Sequence, residues 1–401
     1  MEEWKEYRLS DFMEFNPTVR LSKNTLAKKV TMDQLVPRCR DIYNWSFEPY
    51  SGGAKFQNGD TIMARITPCL ENGKHSFVSF LDDNEIAYGS TEYIVIRGRE
   101  GISDNLFVYY LSHYPEFKNT AVKSMVGSSG RQRAQVDVLE NIIMSLPPLP
   151  EQYRIANFLS SLDDKIAVNR RINDNLEQQA QALFKSWFVD FEPFKDEEFV
   201  ESALGMIPKG WCTKELGEVT KQQNTKVKER TDVKVLSPVT TGELVLSEEY
   251  FTKQVYSESI AKYIVVEHHN FAYNPARVNI GSLGMNTFDF DGCVSPVYVV
   301  FRCEDGYQYF FDLYRQTDSF KEEVKLRAIG GVRQTLGYKD FAKIKVIYPP
   351  KGIVNEFNGI YTKLLSNIIK NKAEINRLGE IRDILLPKLM SGKLKISKMN
   401  A

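Results

Sequence analysis

The chain has 401 residues, 42% of them hydrophobic and 26% charged, and its 52 basic residues balance 52 acidic ones. This suits two to four ordinary globular domains and excludes disordered, collagen-like or membrane-spanning classes, since no apolar run approaches the roughly 18 residues a span needs. Zero net charge also excludes a global pull toward nucleic acid, so any such contact must rest on local patches.

Residues 1–146 read as one mixed domain with a β core. Short alternating or apolar runs (NGDTIMARI from Asn58, ENGKHSFVSF from Glu71, STEYIVIRG from Ser90) are separated by turn signals. Residues 106–113 and 117–125 have the pattern of short helices, and GSSGRQRAQVDVLENIIMSLPP closes the segment with a polar loop, a helical turn and a strand. Residues 147–190 form a long helix. Pro150 suits its first turn, and Leu159, Leu162, Ile166, Asn169, Asn173, Leu176, Ala180, Leu183 and Trp187 recur at alternating spacings of three and four. About 38 residues at about 1.5 Å each give a rod of roughly 57 Å. Residues 191–210 read as a connector whose aromatic start packs on the helix end.

Residues 211–348 repeat the first domain. Trp4 and Leu9 match Trp211 and Leu216 (211 − 4 = 207), EYIVIR ending at Arg97 matches VYVVFR ending at Arg302, and Arg131 matches Arg333 (333 − 131 = 202). Residues 349–401 repeat the rod at the same offset: Leu162, Ile166, Asn169, Leu176 and Leu183 meet Leu364, Ile368, Asn371, Leu378 and Leu385. A constant offset that keeps a polar Asn at one seam position marks a duplication. A lone seam is unstable in water, so the rods are expected to pair, and pseudo-twofold halves favour an antiparallel pair. The helix-pair seam is assigned to Leu162, Ile166, Leu176, Leu183, Leu364, Ile368, Leu378 and Leu385, with Asn169 and Asn371 setting register. Pro387 is expected to kink or stop the second rod, and Gly392 to terminate it.

Catalytic signatures are missing. No phosphate-binding GxxxxGK[ST] loop and no GxGxxG turn is present, and the cysteines (Cys39, Cys69, Cys212, Cys293, Cys303) form no CxxC. His268 and His269 are neighbours that a strand would send to opposite faces, so neither they nor His75 and His113 make a metal pattern. YNPA at Tyr273 weakly resembles the motif that holds a target amino group, but lacks its second proline and aromatic; it reads as a turn after a strand.

Binding chemistry instead recurs once per half. The first half offers Arg65, Thr67 and Lys74 in one loop and Ser128, Ser129, Arg131, Gln132 and Arg133 in VGSSGRQRAQ. The second offers Asn274, Arg277, Asn279 and Ser282 in one loop, and Lys325, Arg327, Arg333, Gln334 and Thr335 in KLRAIGGVRQTLG. Arg forks onto guanine or grips phosphate, Asn and Gln pair with adenine, and Ser, Thr and glycine amides bind phosphate. The plain alternative is a set of polar loops with Arg131 and Arg333 in structural salt bridges. Two readers on one rod, related by a twofold, would meet a duplex about one turn apart, roughly 34–36 Å.

The rods carry LPPLPEQYRIANFLSSLDDKI, NRRINDNLEQQAQALFKSWFVDFEPF and GEIRDILLPKLMSGK. On these motifs the chain resembles the specificity subunits of type I restriction–modification enzymes, over essentially its whole length. The resemblance implies an α+β fold of two tandem, pseudo-twofold-related recognition domains joined by two long antiparallel coiled-coil helices. It implies a non-catalytic subunit that binds double-stranded DNA at a bipartite site; the cysteines without a CxxC pair and the lack of a signal-peptide pattern suggest a cytoplasmic one. Its expected partners are two methyltransferase subunits and restriction subunits, which would hold S-adenosylmethionine, ATP and Mg; none of these is expected in this chain. The competing expectation is a coiled-coil scaffold for protein ligands without DNA specificity.

Overall fold

The computed structural model describes residues 3–251, 256–328 and 335–396. It divides into two compact units, Met1–Ile172 with Lys370–Ala401, and Asn173–Ile369, so both divisions fall inside long helices.

In the first unit, strand Lys5–Arg8 pairs antiparallel with Ile143–Leu146, bringing the start and end of the globule side by side. Two four-stranded sheets lie between them in sequence. One runs Met13–Phe15, Tyr93–Gly98, Thr61–Ala64, His75–Phe77; the other Ser46–Pro49, Leu26–Val30, Ala87–Gly89, Lys55–Phe56. Tyr93–Gly98 is buried on both faces, which is why its sequence is a continuous apolar run. Ile94 and Ile96 enter a core with Phe12, Phe107 and Leu111, whereas Tyr93 and Val95 enter a second core with Val30, Phe56 and Ile62.

The second unit repeats this order strand for strand. Cys212–Glu215 pairs with Lys345–Tyr348. One sheet runs Thr220–Gln223, Val299–Cys303, Phe271–Tyr273, Leu283–Met285, and the other Leu244–Leu246, Lys234–Pro238, Gly292–Val294, Ile264–Val266. Even the single parallel pair recurs, Leu26–Val30 with Ala87–Gly89 and Lys234–Pro238 with Gly292–Val294. The duplication read from the sequence is therefore a duplication of topology. The halves differ in the lengths between strands: residues 31–45 form a long loop where the second half has only 239–243, and 247–263 separate two strands where the first half has only 50–54.

The long helices are Leu149–Phe188 and Lys351–Met390, each of 40 residues. Within the first unit, Asp163 meets Arg382 and Asn169 meets Glu374; within the second, Asn173 meets the Ile368 carbonyl and Trp187 meets Phe357 edge-to-face. In both units partner numbers fall as the helix advances, so the segments run antiparallel. Each globule opens with a tryptophan against a helix end. Trp4 lies over Gly392, whose φ of +69° ends the second helix, and Trp211 packs on Phe188, Phe191 and Phe194.

Three expectations change. Of the eight seam residues only Ile166 and Ile368 are buried; Leu162, Leu176, Leu183, Leu364, Leu378 and Leu385 are half-buried. The fully buried stripe is offset, through Ile155, Leu159, Asp163, Ile166, Asn169, Asn173, Ala180, Phe184 and Phe188, because each helix end faces a globule as well as its partner. Pro387 lies inside the second helix, which continues to Met390. Burial of Leu386, Leu389 and Met390 in the first core holds that last turn despite the missing amide. Residues 191–210 are more than a connector: Glu192–Phe194 is a 3-10 turn, and Phe199–Ser202 pairs with Gly205–Pro208 as a hairpin.

Candidate nucleic-acid interface

The first-half candidates converge although some sixty residues separate their two loops. Val126 and Arg133 exchange both backbone hydrogen bonds, folding GSSG into a tip. Gly127 (φ +139°) and Gly130 (φ +79°) supply the left-handed turns that this tip requires. The strip then zips onto the other loop: Thr67 N donates to Gln132 O at 3.0 Å, and Ala134 N to Arg65 O at 2.8 Å. The second half repeats the junction, with Leu336 N donating to Pro275 O at 3.0 Å. Thus 65–67 with 126–134, and 274–275 with 335–336, are equivalent paired loops.

Their side chains divide into committed and available groups. Arg133 is held by Glu92, with Nη2 at 2.6 Å and Nε at 2.9 and 3.0 Å from the carboxylate oxygens. That hydrogen bonding, first among the causes, raises the guanidinium's affinity for its proton. So the structural ion pair expected of Arg131 belongs to Arg133. Lys74 Nζ donates to Met32 O at 2.7 Å, Arg65 Nη2 to Ala134 O at 3.3 Å, and Arg327 Nε to Glu323 Oε2 at 2.9 Å. Thr67 Oγ1 faces Met125 Sδ at 3.8 Å, Asn274 Oδ1 accepts from Ala276 N at 3.0 Å, and Ser282 Oγ donates to Pro238 O at 2.7 Å.

The available set is smaller. Ser128, Ser129, Arg131, Arg277, Lys325 and Thr335 are exposed, and Gln132 is half-buried; Asn279, also half-buried, is engaged. Among the described residues the guanidiniums of Arg131 and Arg277 have no ion-pair partner. Arg333 and Gln334 lie outside the described residues.

Residues 1–178 match the type I restriction modification DNA specificity domain. The chain is 28% identical to the type I restriction enzyme MjaIX specificity subunit of Methanocaldococcus jannaschii, over 73% of this chain and 70% of that one. It is 25% identical to the HindI specificity subunit of Haemophilus influenzae, over 98% of this chain and all of the other. Over residues 1–178 the chain carries the type I specificity domain, and over most of its length it is similar to type I specificity subunits. Its fold is similar to the crystal structure of the type I S subunit from M. genitalium, with a TM-score of 0.56 at 14% identity, covering 98% and 97% of the two chains.

Among the described residues no group of three or more His, Cys, Asp or Glu is placed to hold a metal ion. The histidines are structural. His75 and His113 are buried with rings 4.6 Å apart, and burial pushes His75 down to about 3. His75 Nδ1 donates to Ser112 Oγ at 3.3 Å, because that hydroxyl's own proton goes to Tyr109 O. His268 and His269 do not face opposite sides of a strand. They sit in a turn with rings 3.6 Å apart, and His269 has φ of +65°. No helix among the described residues is long and apolar enough to cross a membrane.

Sequence reasoning missed Glu92, Tyr298 and Asp163. Glu92 and Tyr298 both precede the doubly buried strands, Glu92 aligning with Val297 and Tyr298 with Tyr93, positions findable from the repeat alignment. Asp163 was findable as an acid on the buried stripe of a helix.

Proposed function

We propose that this chain is the DNA-reading subunit of a type I restriction–modification complex, each globule reading one half of a bipartite duplex site through its paired loops. The observation that carries this is the repeated junction, Ala134 on Arg65 and Leu336 on Pro275, together with an arginine in each half, Arg131 and Arg277, that has no ion-pair partner among the described residues. Arginine is the side chain best suited to fork onto guanine or phosphate. Glu92 is a positioning residue that holds the first strip.

The long helices serve two ends in this reading. Their length sets the unread gap, and their outer faces dock two methyltransferase subunits. Those partners supply adenine methylation with S-adenosylmethionine, and restriction subunits supply ATP- and Mg-dependent cleavage; this cytoplasmic subunit contributes no catalytic group. Co-expression with a methyltransferase subunit in a host without adenine methylation tests the reading. A bipartite motif of modified adenines that depends on this chain supports it. A soluble complex that leaves the genome unmodified refutes it.

A further inference from the structure

The second globule contains an open-mouthed recess of about 430 Å³, walled by Thr240, Tyr263, Asn274, Arg277, Ser295 and Tyr298 among others. This is the size of sites that hold small ligands. Its chemistry is uneven: aromatic rings, hydroxyls and one cation, with no carboxylate among the described lining residues. The polar groups are also unsatisfied. Asn274 uses Oδ1 within its own turn and leaves Nδ2 free, and the side chains of Thr240, Arg277, Ser295 and Tyr298 have no hydrogen bond among the described residues. Tyr263 is fixed in place, its hydroxyl accepting from Ser257 N at 3.1 Å.

The equivalent place in the first globule is built differently. Glu92, closed off by Arg133, stands where the exposed Val297 stands, and the buried Tyr93 stands where Tyr298 stands; Thr335 takes the place of Arg133. A carboxylate there would repel phosphate, whereas a tyrosine beside a free arginine attracts a planar ring that carries an anion. The rim is apolar. Val297, between two lining residues, is 71% exposed, and Ile280, three residues past Arg277, is 53% exposed. Such exposed apolar tips wedge between base steps in proteins that unstack DNA.

We propose that this recess holds a single nucleotide unit, its base against the tyrosine rings and its phosphate at Arg277. In the DNA complex the unit is a nucleotide of the second half-site turned out of the stack, with Val297 filling the vacated place. The inference rests on the DNA-reading function above for that source of the nucleotide. A free mononucleotide has the same chemistry and is the other source.

The test uses the full chain assembled with its methyltransferase subunits. Duplexes carry 2-aminopurine at successive positions of the second half-site, leaving out the methylated adenine and its neighbours, and AMP, GMP, CMP and TMP are titrated separately by calorimetry. DNA binding is measured alongside. The expected result is a several-fold rise in fluorescence at one position, abolished by Tyr298→Ala, with binding roughly tenfold weaker. Arg277→Gln, at an exposed position that folding does not need, reduces the signal in the same way. Mononucleotide binding that Arg277→Gln removes, without a 2-aminopurine signal, assigns the recess to a free nucleotide. A complex that binds DNA but gives neither result overturns the recess while leaving the DNA reading intact. A complex that binds mononucleotides through Arg277 but no DNA keeps the recess and removes the DNA reading. A complex that binds neither loses both.

Discussion

Arg382 Nη1 lies 2.6 Å from Asp163 Oδ1, and the two side chains are 10% and 4% exposed. Burial works against the guanidinium's charge, and Asp163 restores it. Asp163 also accepts from Tyr110 Oη at 2.6 Å, and Arg382 donates to Arg38 O at 3.1 Å, so one ion pair ties both helices to the first globule. Arg382→Ala leaves a buried carboxylate short of its partner and should cost about 3–5 kcal/mol in urea unfolding. The double variant Asp163→Leu/Arg382→Met should recover most of that. A loss below about 1 kcal/mol for the single variant would show that water reaches the site.

His75 and His113 set an acid limit. Their folded-state affinity for protons lies below the ordinary histidine value, His75 down to about 3, mainly through burial. Below about pH 6.5 the unfolded chain therefore binds protons that the folded chain refuses, and stability falls as pH falls toward 3. Each histidine contributes at most about 1.4 kcal/mol per pH unit over that window. Thermal midpoints of the wild type should drop between pH 7 and 5, and a His75→Asn variant should show a shallower drop. Equal slopes would assign the acid sensitivity to other groups.

Arg131 and Arg133 should separate cleanly. Arg131→Ala should lose the first half-site in a methylation map, by about 1–3 kcal/mol of discrimination, with unfolding unchanged. Arg133→Ala frees Glu92 beside the reading strip and should lower both loop stability and first-site binding. An Arg131 variant with intact preference for the first half-site would remove that residue from the readers.

Helix length is directly adjustable. Deleting seven residues around Asn173 and seven around Ile368, about 11 Å of rise, keeps the antiparallel pairing and should shorten the unread gap by about three base pairs at 3.4 Å each. Both half-site sequences should be retained. A gap of unchanged length in the sequenced motif would falsify the spacing role of the helices.

The duplication was legible because it preserves spacing: the repeats of EYIVIR and of Leu9 fall on matching strands and helix starts. The paired loops stood out in the sequence as glycine with arginine and glutamine. Which arginine is available was not, because Glu92 lies 41 positions from Arg133 and only the fold brings them together. The buried stripe also escaped a heptad count. That count assumes each helix faces one partner, whereas Ile155 and Leu159 face a globular core too. The recess was out of reach altogether, since its walls come from strands and turns between residues 235 and 298.

Lys5 pairs with Leu146, and Cys212 with Tyr348, so each globule enters and leaves the chain through one two-stranded stem. Everything between the strands of a stem is a detachable cassette as far as the helices are concerned. The unequal lengths at 31–45 and 247–263 show how far the interior drifts while the stems and helix starts stay in step. Exchange of one cassette for another at a stem would therefore leave the phase of the helices undisturbed.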